Sequence, residues 1–155
     1  MNENKIGIFG WSRGSTGALN VLKKVDWIKC LILGTGPMTF EKKYWINFRP
    51  QLVDLFINPN PDLGFGFTEK DVIDKSPIFF LDKISNKIPI LFMYGTDDKK
   101  VEITHAYLLQ EAINKFNLNA KIIIYKGGNH PLNNTDEILE NVKKETVDFF
   151  LKNLI

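Results

Sequence analysis

The chain has 155 residues, with 20 Lys and Arg against 18 Asp and Glu, a formal charge of +2, and 44% hydrophobic and 25% charged residues. That is the composition of one globular domain able to bury its own core, and it excludes a disordered chain. The near balance of charge and the presence of only two arginines, Arg13 and Arg49, argue against a nucleic-acid binder, which concentrates cations to displace counterions from phosphate.

Cys30 stands alone, so neither a disulfide framework nor a C-x-x-C pair can form. His105 and His130 are the only histidines and no H-E-x-x-H occurs, so a structural or catalytic zinc is not expected. The opening Met1-Asn2-Glu3-Asn4-Lys5 has no signal-peptide apolar run, and no stretch approaches about 18 apolar residues. A cytoplasmic location away from membranes is the expectation.

Ile6 to Phe9 reads as a buried strand. Ala18 to Val25 reads as a helix with Leu19, Leu22 and Val25 on one face. Ile28 to Leu33 is a second strand, closed by the loop-forming Gly34-Thr35-Gly36-Pro37. The stretch 38–77 is aromatic-rich (Phe40, Tyr44, Trp45, Phe48, Phe56, Phe65, Phe67), is broken by Asn58-Pro59-Asn60-Pro61, and reads as a helical, cap-like insertion. Ile88 to Tyr94 is a third strand. A helix follows over Ile103 to Phe116, with Leu108, Leu109, Ala112, Ile113 and Phe116 at helical spacing. Lys121 to Tyr125 is a fourth strand, and a last helix opens near Thr135 with Asp136 and Glu137 at its positive end. Apolar strands alternating with helices imply an α/β domain over 1–155, a mostly parallel sheet of about four strands covered on both faces.

The strongest chemical signal is Gly10-Trp11-Ser12-Arg13-Gly14, a G-x-S-x-G between strand and helix. The chain must turn sharply there, so the glycines two before and two after Ser12 are expected to be required for lack of bulk. The turn exposes the serine beside a positive helix end, and the backbone N–H of Arg13 points where an oxyanion would form. A serine hydroxyl needs a base. His130, in Gly127-Gly128-Asn129-His130 after the fourth strand, lies where carboxyl ends of parallel strands converge. His105, in the first turn of a helix, reads instead as a half-buried residue satisfied by neighbours. An acid must hold the imidazole in one tautomer. Gly95-Thr96-Asp97-Asp98 follows the third strand; Asp98 is assigned as the acid and Asp97 as a turn former.

With the order Ser12, Asp98, His130, the chain resembles an α/β-hydrolase, and within that fold the prolyl oligopeptidase-type serine peptidases and their dienelactone-hydrolase-like neighbours. The residues carrying the resemblance are Gly10-Trp11-Ser12-Arg13-Gly14, Ser76-Pro77-Ile78, Ile88-Pro89-Ile90-Leu91 before Gly95-Thr96-Asp97-Asp98, and Gly127-Gly128-Asn129-His130. The resemblance implies a serine hydrolase that cleaves peptide bonds through an acyl-enzyme, without cofactor, on a small peptide. A carboxylesterase acting on small esters, or a silent split-gene fragment serving as an interaction module, are the alternatives. A nucleotide-binding turn is disfavoured, since neither G-x-x-x-x-G-K-[ST] nor G-x-G-x-x-G is present.

Three departures from the family pattern shape further expectations. The strands that precede the nucleophile strand in the family have no counterpart here, so this strand becomes an edge, to be covered by homodimerisation or by a partner chain. The loop that normally gives a second oxyanion donor is also missing, a loss worth about 2.7–4 kcal/mol. Ser15 stands where a further glycine is usual. Trp11 is divided between lining a substrate pocket and packing under the elbow. Trp45 is a possible pocket residue better read as core packing, Arg49 a solvated surface cation rather than a carboxylate anchor, and Cys30 a buried filler.

Overall fold

The computed structural model describes residues 5–54 and 67–155. Phe56, Asn58-Pro59-Asn60-Pro61 and Phe65, assigned above to the insertion, lie outside the described residues. Four strands, β1 (Gly7–Trp11), β2 (Cys30–Gly34), β3 (Ile90–Gly95) and β4 (Ala120–Tyr125), form one sheet in the order β1-β2-β3-β4, every pair parallel. Among the described residues five α-helices accompany them: α1 (Arg13–Leu22), the short α2 (Pro50–Leu52), α3 (Glu69–Lys75), α4 (Thr104–Phe116) and α5 (Asp136–Leu154).

The two-residue repeat of a strand sends alternate side chains to opposite faces. Leu31, Leu33, Ile90, Phe92 and Tyr94 pack with Leu19 of α1 and Leu109 of α4 on one face. Ile32, Leu91 and Met93 pack with Ile138 and Val142 of α5 on the other. Burial on both sides explains why β2 and β3 read as unbroken apolar runs, and it matches the expected helix-covered parallel sheet.

The strands and α4 lie within one to two residues of the expected bounds, and α1 differs from the sequence reading at both ends. α1 starts at Arg13, five residues before the first apolar position scored, because the elbow turns directly into the helix and its first turn buries Ser15 and Thr16 rather than apolar residues. It ends at Leu22, so Val25 lies beyond it. α5 begins as expected, with Thr135 Oγ1 accepting from the Ile138 N–H at 3.2 Å. Within 38–77, Met38, Trp45 and Val53 join the main core, and α3 opens with a capping box between Thr68 and Asp71. β1 has β2 on one side and no strand on the other among the described residues, and Phe9 is 51% exposed there.

Candidate active site

Ser12 sits between the last residue of β1 and the first of α1 with φ 55° and ψ −123°, a left-handed conformation unfavourable for any residue with a Cβ. What holds it there is local and specific. The Ser12 N–H donates to the Gly34 carbonyl at 2.8 Å, fastening the elbow to the end of β2. Ser15 is fully buried, with Oγ 2.8 Å from the Gly34 carbonyl and 3.0 Å from that of Gly10, which share its proton. A glycine at 15 could not make this link.

The two glycines of the motif are not equivalent. A Cβ on Gly10 would lie 2.8 Å from the Gly14 carbonyl oxygen and 3.0 Å from the Ser15 nitrogen, both backbone atoms that cannot give way. A Cβ on Gly14 would meet nothing within 4 Å, so the steric demand expected of both glycines falls on Gly10 alone.

At the ends of β3 and β4 the acid and the imidazole are brought together. His130 Nδ1 lies 2.7 Å from Asp98 Oδ2, and the side chains are 12% and 1% exposed. The other carboxylate oxygen, Oδ1, accepts from the backbone N–H groups of Lys100 (2.7 Å) and Val101 (3.0 Å). With Oδ1 held by two backbone donors, Oδ2 is the acceptor suited to an Nδ1–H of His130, the tautomer in which Nε2 carries the free lone pair. Asp97 is exposed and takes a hydrogen bond from the Thr96 hydroxyl at 2.9 Å, while its N–H donates to Gly128.

Ser12, Asp98 and His130 thus all follow the carboxyl ends of parallel strands. Among the described residues, Ser12 Oγ and His130 Nε2 have no hydrogen bond between them. The Arg13 N–H is the first of α1 and has no acceptor within the helix.

Two long-range hydrogen bonds clamp the histidine loop. The Trp11 indole N–H donates to the His130 carbonyl at 3.0 Å, and the Thr35 hydroxyl reaches the same oxygen at 3.3 Å. The Trp11 ring covers Gly34, where a Cβ would overlap it, and packs on the α5 side of the sheet. It therefore supports the elbow and the histidine loop and is absent from the cavity wall described next. Asn134 accepts from the Asn129 N–H at 3.0 Å and donates to the Gly127 carbonyl at 2.9 Å, closing the loop on itself.

Beside Ser12 lies a cavity of about 350 Å³ lined by Ser12, Arg13, Pro37, Phe40, Trp45, Arg49, Leu52, Phe67, Lys100 and Val101. Trp45 forms part of its wall although it is 3% exposed, its indole N–H tied to the Thr39 carbonyl at 2.9 Å. Arg49 is half-buried, not the solvated cation expected, and its guanidinium donates to the Lys100 carbonyl at 3.3 Å. His105 is wholly buried, not half-buried: Nδ1 accepts from the Met38 N–H at 3.2 Å, and Nε2 has no partner among the described residues. Cys30 is buried as expected, and burial raises its thiol pKa, which keeps it unreactive.

Among the described residues no cluster of His, Cys, Asp and Glu could hold a metal, and no helix is long and apolar enough to cross a membrane.

Comparison with known proteins follows the same lines. The model of the prolyl oligopeptidase family matches residues 1–155. A Schizosaccharomyces pombe protein named as a candidate dipeptidyl aminopeptidase is 23% identical over 113 residues, 73% of this chain and 12% of its own length. Among solved structures, an acylaminoacyl peptidase of Pyrococcus horikoshii superposes with a TM-score of 0.82 at 18% identity, covering 99% of this chain and 24% of that one. A puromycin-hydrolyzing peptidase of Mycobacterium tuberculosis superposes with a TM-score of 0.77 at 19% identity, covering 99% and 22%. The fold is a partial α/β-hydrolase fold, and the chain spans about a quarter or less of these relatives.

Proposed function

Because the chain belongs to the prolyl oligopeptidase family, we propose that it is a serine hydrolase that cleaves peptide bonds through an acyl-enzyme. The observation that supports the reading is the 2.7 Å contact of Asp98 with His130 Nδ1, on a loop that Trp11, next to the strained Ser12, holds by its carbonyl. In this reading a bound substrate draws Ser12 Oγ and His130 Nε2 together, a closure that sites of this type often need. Oγ attacks the carbonyl carbon and its proton passes to Nε2. The oxyanion takes a hydrogen bond from the Arg13 N–H. Collapse expels the amine, which leaves with the proton from Nε2, and water repeats the sequence on the ester to free the acid and Ser12. Asp98 stays ionised and balances the imidazolium.

The test is covalent labelling of the purified chain by a fluorophosphonate, with Ser12→Ala beside it. Labelling lost in the variant supports the reading, and paired peptide and ester substrates then separate peptidase from esterase. A folded chain that takes no label refutes it and leaves the silent interaction module.

A further inference from the structure

We infer that the cavity beside Ser12 accepts a substrate group that joins an apolar portion to a carboxylate, with Arg49 as the residue that selects the carboxylate; this rests on the serine hydrolase reading for its catalytic meaning, not for its binding. The cavity, about 350 Å³, lies at the small end of the range of ligand pockets and has room for one substrate side chain. Phe40, Trp45, Phe67 and Val101 give it apolar walls, while its charged lining residues are Arg13, Arg49 and Lys100, all cationic. None of the three forms an ion pair with a carboxylate among the described residues. Positive charge gathered around an apolar cavity, with no ion pair to it among the described residues, attracts an anion and repels an ammonium group.

Arg49 is the best prepared of the three. Its backbone N–H is bonded to the Trp45 carbonyl at 2.7 Å, which ties it to the cavity wall, and its Nη1 is braced on the Lys100 carbonyl at 3.3 Å. One donor is thereby used to orient the planar group, and the others, with no side-chain partner among the described residues, suit a bidentate grip on a carboxylate. Arg13 and Lys100 are exposed and contribute field more than geometry.

The carboxylate has two sources, an acidic side chain of the substrate or the free C-terminus of a short peptide. Calorimetric titration of the whole chain with 3-phenylpropionate and with 3-phenylpropionamide isolates the shared chemistry. The acid should bind about tenfold tighter than the amide, with the difference shrinking as salt rises. Arg49→Gln should abolish the difference, and Arg49→Lys should restore only part of it, because an ammonium cannot reproduce the fork.

N-acetylglutamyl against N-acetylglutaminyl anilide, and N-acetyl dipeptide acids against their amides, then assign the source from the kcat/KM ratio that Arg49→Gln collapses. Equal affinity for acid and amide, no binding of either, or a preference that survives Arg49→Gln overturns the inference. Fluorophosphonate labelling reads Ser12 separately, so a failure of catalysis and a failure of carboxylate selection are told apart.

Discussion

Acid should destabilise this fold through one imidazole. His105 has no exposed surface, and the Trp45 and Tyr44 rings lie 5.0 and 6.2 Å from its own. Burial pushes its pKa down from 6.5 to about 4, and the nearby Asp98 only partly opposes this. With the folded value below the unfolded one, the unfolded chain takes up the proton first as pH falls. Stability is therefore intact above pH 6.5, is lost progressively from there to about pH 4, and levels off below. At about 1.4 kcal/mol per pKa unit, roughly 2.5 kcal/mol should be gone by about pH 4.5, a large share of a typical domain's stability.

The assay is urea unfolding from pH 7 to 4.5 on the native chain and on His105→Asn, whose side-chain oxygen can still accept from the Met38 N–H. Protonation of carboxylates is common to both proteins, so the difference between the curves isolates the imidazole. Parallel curves, or a folded-state His105 that titrates near 6.5 by NMR, would refute the reasoning.

Four more outcomes are expected. Asp98→Asn keeps the packing but presents the wrong tautomer of His130, so phosphonate labelling should slow by about ten-thousandfold with little change in Tm; unchanged labelling would separate the acid from the chemistry. Trp11→Phe removes the bond to the His130 carbonyl and should cost about 1 kcal/mol in urea unfolding together with slower labelling. Gly95→Ala would drive a Cβ into the Gly128 carbonyl and to within 2.9 Å of Leu132, costing about 1–3 kcal/mol and displacing the histidine loop, so that labelling falls more steeply than stability does. The side of β1 that has no strand beside it among the described residues, with Phe9 half-exposed, should associate with a second copy or another strand; a monomer in sedimentation that binds no apolar dye would contradict this.

What could be read from sequence divides along the distance over which each signal acts. The apolar runs of β2 and β3, the helical spacing in α4, and the placement of Ser12, Asp98 and His130 after strands are local patterns, and the chain order of the three supplied the rest. Contacts between distant residues left no local trace. Trp11 and His130 are 119 positions apart, Thr35 and His130 are 95 apart, and only the folded sheet shows that one carbonyl serves both. Nothing near Ser15 in sequence, where a further glycine is usual, shows that its hydroxyl joins the ends of β1 and β2. Arg49 looked like a surface cation because nothing nearby in sequence hints that the Lys100 carbonyl will come to meet it.

The turn after β3 joins two parts of the site. The Lys100 N–H holds the Asp98 carboxylate, and the Lys100 carbonyl holds the Arg49 guanidinium. A single peptide-bonded residue thus stands between the group that orients the base and the group that lines the cavity. A change at position 49 would release the Lys100 carbonyl and leave the N–H groups of Lys100 and Val101 on Asp98, so the cavity wall can vary across a lineage while the carboxylate beside His130 keeps its support.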